Sequence, residues 1–86
     1  MDTQRITSNR YFSNGAYGRT WGVRRVTGIV IDPKSGAAIV EFRGMAGACR
    51  RKTGSVSLIE FARWAKYEVA LNENSWQRVD AGEGKA

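Results

Sequence analysis

The chain has 86 residues, of which 42% are apolar and 26% are charged, with a formal net charge of +6. A chain of this length forms one domain with a thin core, and its apolar content argues against a wholly disordered protein. It contains one cysteine and no histidine, which excludes an intrachain disulfide and removes the most common general base and metal ligand.

The N-terminal residues lack the apolar stretch of a secretion signal, and no run of about 18 apolar residues is present to span a bilayer. Small secreted domains usually need several disulfides, so the single Cys49 favours a reducing compartment. We therefore expect a cytoplasmic protein that does not associate with membranes.

Positive charge is concentrated in the first two thirds of the chain. Residues 1–57 hold ten Arg or Lys against three Asp or Glu, whereas residues 58–86 hold four against five. Ten of the fourteen cations are arginine, whose planar guanidinium binds phosphate or carboxylate through two hydrogen bonds and stacks on rings. The basic surface is therefore expected on the first part of the chain.

Residues 1–18 are rich in Ser, Asn, Gly and Arg and show no sustained apolar period. The dipeptide Asn14-Gly15 is typical of turns. We predict a flexible arm over residues 1–18, in which Tyr11 and Phe12 are the candidates for a short strand.

The first long strand begins after Arg19, and its alternation of apolar residues changes phase between Val23 and Val26. One straight strand cannot bury both of these residues against the same core. A bulge near Arg24-Arg25 or a bend at Gly28 would restore the phase, so we predict a curved strand.

The segment Asp32-Pro33-Lys34-Ser35-Gly36 predicts a tight turn, because proline presets a negative φ and glycine accepts a positive one. It joins two apolar stretches, which indicates a β-hairpin. In the second strand Ala38, Val40 and Phe42 alternate toward the core, which leaves Arg43 facing outward.

A glycine-rich loop over residues 44–48 precedes a third strand predicted for residues 49–56. An edge position suits this strand, because one lysine and two arginines would protect it from aggregation. The loop and the basic residues after it lack the spacing of a nucleotide-binding phosphate loop.

Ser57-Leu58-Ile59-Glu60 matches the capping box S-x-x-E, which predicts a helix over residues 58–66. Alternation over residues 67–71 predicts a closing strand, and residues 76–79 add a further short strand. We predict that residues 80–86 form a disordered tail, so that the folded domain comprises residues 19–79.

No catalytic arrangement is visible in this sequence. The cysteine has no histidine to pair with, and no spaced pair of carboxylates shares a predicted face. We therefore expect neither an enzyme nor a metal or cofactor site.

The order of curved strand, hairpin, third strand, short helix and closing strand over residues 19–71 resembles the SH3-like and KOW-like small barrels in topology. This resemblance implies a mainly β fold, a barrel of about five strands with a helix at residues 58–66. The alternative is an α+β fold in which an antiparallel sheet packs on one helix. In size and basic character the chain is also similar to small accessory proteins of phages, plasmids and other mobile elements.

The combination of cations and rings favours a non-enzymatic module that binds DNA or RNA, with arginines on phosphates and rings on bases. The predicted site consists of Arg19, Arg24, Arg25, Arg43, Arg50, Arg51 and Lys52, with Tyr17 and Trp21 as stacking platforms. The alternative is a protein-interaction or self-assembling module, in which the cations meet an acidic partner or strand edges pair into a homo-oligomer.

Overall fold

Six antiparallel strands and one short helix form the fold in the computed structural model, which describes residues 1–79. The elements in chain order are the 3₁₀ turn η1 (Thr3–Arg5), β1 (Tyr11–Ser13), the 3₁₀ turn η2 (Gly18–Thr20), β2 (Gly22–Ile31), β3 (Ala38–Gly47), β4 (Thr53–Ser57), α1 (Leu58–Trp64), β5 (Tyr67–Asn72) and β6 (Ser75–Val79). The predicted disordered tail, residues 80–86, lies outside the described residues.

The strands form a single sheet in the order β4-β3-β2-β1-β5-β6. Among residues 1–79 no pairing joins β4 to β6, so the sheet is open and has two edges. The prediction of a mainly β fold with one helix is therefore confirmed, with six strands instead of about five. The SH3-like barrel is not confirmed.

The pairing of β2 with β3 contains two irregularities, one between Val23 and Arg24 and one between Val26 and Gly28. They lie at the places where the sequence predicted a bulge or a bend. Val23 and Val26 are both 0% exposed, but only Val26 belongs to the core cluster. Val23 is directly opposed to Ser13 and lies on the same face as Tyr11 and Arg25. The irregular pairing predicted for this strand is confirmed, but the expectation that both valines pack against one core is wrong, because they lie on opposite faces of β2.

The predicted turn joins β2 to β3, and the amide of Gly36, which has a φ of 75°, donates to the carbonyl of Asp32 at 2.8 Å. The Asp32 carboxylate also accepts hydrogen bonds from the backbone N–H of Lys34 and from the hydroxyl of Ser35, each at 3.0 Å. These two bonds, the first more than the second, hold the pKa of Asp32 below its ordinary value.

We expect acid to weaken this turn. The pKa of Asp32 is lower in the folded protein, so its contribution is complete above the unfolded pKa of about 3.9 and is lost as the pH falls through the folded pKa. Urea unfolding of the wild type and of Asp32→Asn should show a difference at neutral pH that shrinks below about pH 4. A difference that stays constant across this range would contradict the assignment.

The N-terminal segment is part of the core instead of an arm. Ile6 and Phe12 are 2% and 0% exposed, and β1 lies between β2 and β5 in the middle of the sheet. The strand predicted at Tyr11 and Phe12 is confirmed. Because β1 has only three residues, no alternation is long enough to reveal its central position.

The core lies between α1 and the sheet. Its buried residues are Ile6, Phe12, Val26, Val40, Phe42, Phe61, Ala62 and Ala65. The predicted orientation of β3 is confirmed, because Val40 and Phe42 are buried and Ala38 is half-buried. Within the described residues, no helix is long and apolar enough to cross a membrane.

The capping box begins α1 as predicted, because the hydroxyl oxygen of Ser57 accepts a hydrogen bond from the Glu60 backbone N–H at 3.1 Å. The same hydroxyl donates to the Glu60 carboxylate at 3.3 Å. The Glu60 carboxylate therefore accepts from the Ser57 side chain, whereas in a complete capping box it would accept from the Ser57 backbone N–H. The helix ends at Trp64, two residues earlier than predicted, because Ala65 takes an extended backbone conformation.

Candidate nucleic-acid interface

The two faces of the sheet differ in what covers them. The helix α1 lies against β3 and β4, and its Phe61 packs edge-to-face on Phe12 with ring centroids 5.8 Å apart. We call this side of the sheet the helix face and the opposite side the open face. In residues 1–79 no second α-helix is present to cover the open face.

A row of directly opposed residues crosses the open face from one edge of the sheet to the other. Directly opposed residues in antiparallel strands point to the same face. From β4 to β6 the row consists of Thr53, Arg43, Arg25, Tyr11, Val69 and Arg78. This row lies on the open face because Phe12, the residue after Tyr11, points into the core. Three of its six members are arginines.

Arg25 and Arg43 lie side by side in this row as a directly opposed pair. The guanidinium of Arg25 donates to the side-chain oxygen of Asn9 at 2.8 Å, and its carbon lies 6.0 Å from the ring centre of Tyr11. The Nε atom of Arg25 is buried and has no hydrogen-bond partner. Directly opposed like charges destabilise a sheet.

Within residues 1–79 no carboxylate forms an ion pair with Arg25 or Arg43. The ion pairs within residues 1–79 both involve Glu68, which is contacted by Arg10 at 3.2 Å and Arg5 at 3.6 Å. Glu68 is directly opposed to Phe12 and therefore lies on the helix face. Arg25 and Arg43 are thus left to face solvent or an external anion.

Aromatic rings adjoin the arginines on the open face. Tyr11 and Trp76 have ring centroids 5.3 Å apart at an angle of 50°, and the guanidinium carbon of Arg78 lies 5.0 Å from the ring centre of Tyr67. Trp76 and Tyr67 are two residues from Arg78 and Val69, so the alternation of β5 and β6 places them on the same face. All three rings are half-buried.

These three rings and Arg78 are absent from the site predicted from the sequence. The alternation of β5 and β6 was visible in the sequence, but the pairing of β5 with β1 was not. That pairing carries Tyr67 and Trp76 to the arginines of β2 and β3. We call Tyr11, Tyr67, Trp76, Arg25, Arg43 and Arg78 the open-face cluster.

Arg24 lies on the helix face, apart from the other predicted cations. Its guanidinium carbon is 4.2 Å from the ring centres of both Phe42 and Trp64. Its Nε atom is buried and makes no hydrogen bond. Stacked between two rings, the side chain acts as a packing element between the sheet and α1.

The cations Arg50, Arg51 and Lys52 are exposed and lie in the turn between β3 and β4, not in the third strand as predicted. We call these three residues the basic turn. Two backbone hydrogen bonds close this turn. The N–H of Gly44 donates to the Lys52 carbonyl at 2.5 Å, and the N–H of Lys52 donates to the Cys49 carbonyl at 3.0 Å. The turn leads directly into Thr53, the first member of the row.

The predicted residues before β2 lie beside the start of the basic turn. The carbonyl of Trp21 accepts a hydrogen bond from Ala48 at 2.7 Å, and Trp21 is half-buried. Arg19 is exposed in η2, and Tyr17 is 93% exposed. The seven predicted cations therefore do not share one face: Arg25 and Arg43 are together, Arg24 is on the other side, and the rest belong to η2 and the basic turn.

The remaining candidates for chemistry among the described residues are metal ligands and the single cysteine. They contain no group of three or more His, Cys, Asp or Glu side chains arranged to hold a metal ion. Cys49 is 7% exposed and packs against two glycines, Gly22 and Gly44. Comparison with protein-family models, curated proteins and solved structures gave no match to this chain.

Proposed function

We propose that this protein is a non-enzymatic module that binds DNA or RNA through the open face of its sheet. The observation that carries the proposal is the direct opposition of Arg25 and Arg43, which lack a carboxylate partner within residues 1–79. Phosphate groups fit paired guanidinium groups well, and the nucleic-acid backbone presents them at a regular spacing.

Neither carboxylate of the described strands forms an ion pair with Arg25 or Arg43. Among the Asp and Glu residues of the described strands, Glu41 takes the phase of the open face, since it is two residues from Arg43. Glu68 lies on the helix face, where Arg5 and Arg10 neutralise it. The basic turn extends the positive surface beyond the edge of the row.

Binding should weaken steeply with salt, and the two central arginines should set part of the slope. The double variant Arg25→Gln/Arg43→Gln is expected to reduce the slope of log affinity against log salt by about 1.4 to 1.8, if each arginine contacts one phosphate. Fluorescence anisotropy of a labelled oligonucleotide between about 50 and about 200 mM salt measures this slope.

The matched control is Arg63→Gln, which removes one exposed charge from α1 on the other side of the sheet. Its slope should remain within error of the wild-type slope. The proposal fails if the wild type does not bind at low salt. It also fails if the double variant and the control have the same slope.

The second candidate is a self-assembling or protein-interaction module, and the composition of β4 favours it. β4 is an edge strand, and its residues, Thr53–Ser57, carry no charge, since the basic turn lies outside the strand. An uncharged edge is open to pairing with another strand. Light scattering separates the two candidates, because a strict monomer that binds oligonucleotide fits only the first.

A further inference from the structure

We propose that the open-face cluster selects single-stranded over double-stranded nucleic acid, by stacking unpaired bases on its rings. The inference rests on the proposed function and names the class of ligand. The observation behind it is the set of three rings on β1, β5 and β6, namely Tyr11, Tyr67 and Trp76.

The rings are separate from the core of the protein. The aromatic residues of the core, Phe12, Phe42 and Phe61, pack around α1 on the helix face. Tyr11 and Trp76 pack on each other on the open face, with ring centroids 5.3 Å apart. Val69, which is directly opposed to Tyr11 and 3% exposed, lies on this face and outside the core cluster.

Two of the three rings have a guanidinium group beside them. Arg25 approaches Tyr11 to 6.0 Å and Arg78 approaches Tyr67 to 5.0 Å, measured from the guanidinium carbon to the ring centre. A strand of nucleotides requires this combination, because its bases present π faces while its phosphates need cations at intervals along the same path. The positive charge of the row thus complements the negative charge of the nucleic-acid backbone.

A duplex uses only half of this surface. Its bases are paired and stacked on one another, so the rings of the open face cannot stack on them. Only the phosphates remain accessible to the arginines. A single strand offers both groups at once. Removing a ring should therefore weaken the binding of single strands alone, whereas removing arginines should weaken the binding of both.

The test compares oligo(dT) and oligo(U) of about 15 nucleotides with a DNA duplex of the same length. The variant Trp76→Leu keeps an apolar side chain beside Val69 and removes the π face. We expect it to bind both single strands about tenfold more weakly, and the duplex within about twofold of the wild type. Trp76→Phe should recover most of the loss.

The control is Ile59→Ala, which removes an exposed apolar side chain from α1, where Ile59 is 62% exposed. It should leave all three affinities unchanged. Unfolding curves of each variant exclude loss of structure as the cause of weaker binding. Comparison of oligo(dT) with oligo(U) distinguishes DNA from RNA as the source of the strand.

The outcomes separate the two proposals. If the wild type binds none of the three probes at low salt, the proposed function fails and the inference fails with it. If the duplex binds as tightly as the single strands and Trp76→Leu changes nothing, the inference fails while nucleic-acid binding stands. A loss confined to the single strands supports both.

Discussion

Replacing Phe61 with alanine is expected to cost about 3 to 5 kcal/mol of unfolding free energy. Phe61 is 0% exposed, and its ring meets those of Phe12, Phe42 and Trp64 at centroid distances of 5.8, 6.1 and 5.6 Å. Phe61 is the largest fully buried side chain of α1 and contacts rings of both β1 and β3. A domain of this size has a total stability of about 4 to 13 kcal/mol, so the loss would be a large fraction of it.

Urea denaturation followed by circular dichroism measures this loss, with Phe61→Leu as the matched control. Leucine fills most of the volume and should cost about 1 to 2 kcal/mol. A decrease in unfolding free energy of less than about 1 kcal/mol for Phe61→Ala would contradict the view that this ring stabilises the packing of α1 on the sheet.

Arg24→Ala is expected to destabilise the protein by about 2 to 3 kcal/mol without changing the salt dependence of binding. Its guanidinium lies between Phe42 and Trp64 at 4.2 Å from each ring centre, and alanine removes both contacts and the packing of the side-chain stem. The expected effect is thus on unfolding, although the sequence placed Arg24 among the phosphate ligands.

The neighbouring residue provides the control for Arg24. Arg25 is on the open face, so Arg25→Ala should affect binding more than stability. Arg24→Met keeps the stem and removes the charge, and it should recover part of the lost stability. A normal unfolding curve for Arg24→Ala together with a reduced salt slope would contradict the structural role and assign Arg24 to a phosphate.

The local features of the fold were predictable from neighbouring residues. The turn at residues 32–36 and the capping box at Ser57 each depend on a few adjacent side chains, whose backbone preferences decide the structure. The position of β1 was not predictable in this way. Three residues are too few to show a period, and their partners in β5 are far along the chain.

The candidate site was predictable only in part, for the same reason. Arg25 and Arg43 belong to one hairpin, so alternation and the turn sufficed to suggest that they are near each other. The rings of Tyr11, Tyr67 and Trp76 meet them only through β1. Arg24 is two residues from Val26 and shares its face, so simple alternation separates it from Arg25.

The central position of β1 also has a consequence for the order of folding. Within the described residues, β1 alone joins the hairpin of β5 and β6 to the strands β2, β3 and β4. The contact between Arg10 and Glu68 spans 58 positions in sequence, so it closes a long loop, and such closures come late and slow the folding of a chain. The hairpin of β2 and β3 needs no such closure. We therefore expect Arg25 and Arg43 to come together early and the rings to join them in the last step. An incompletely folded chain would then already present the arginine pair before the surface that stacks bases exists.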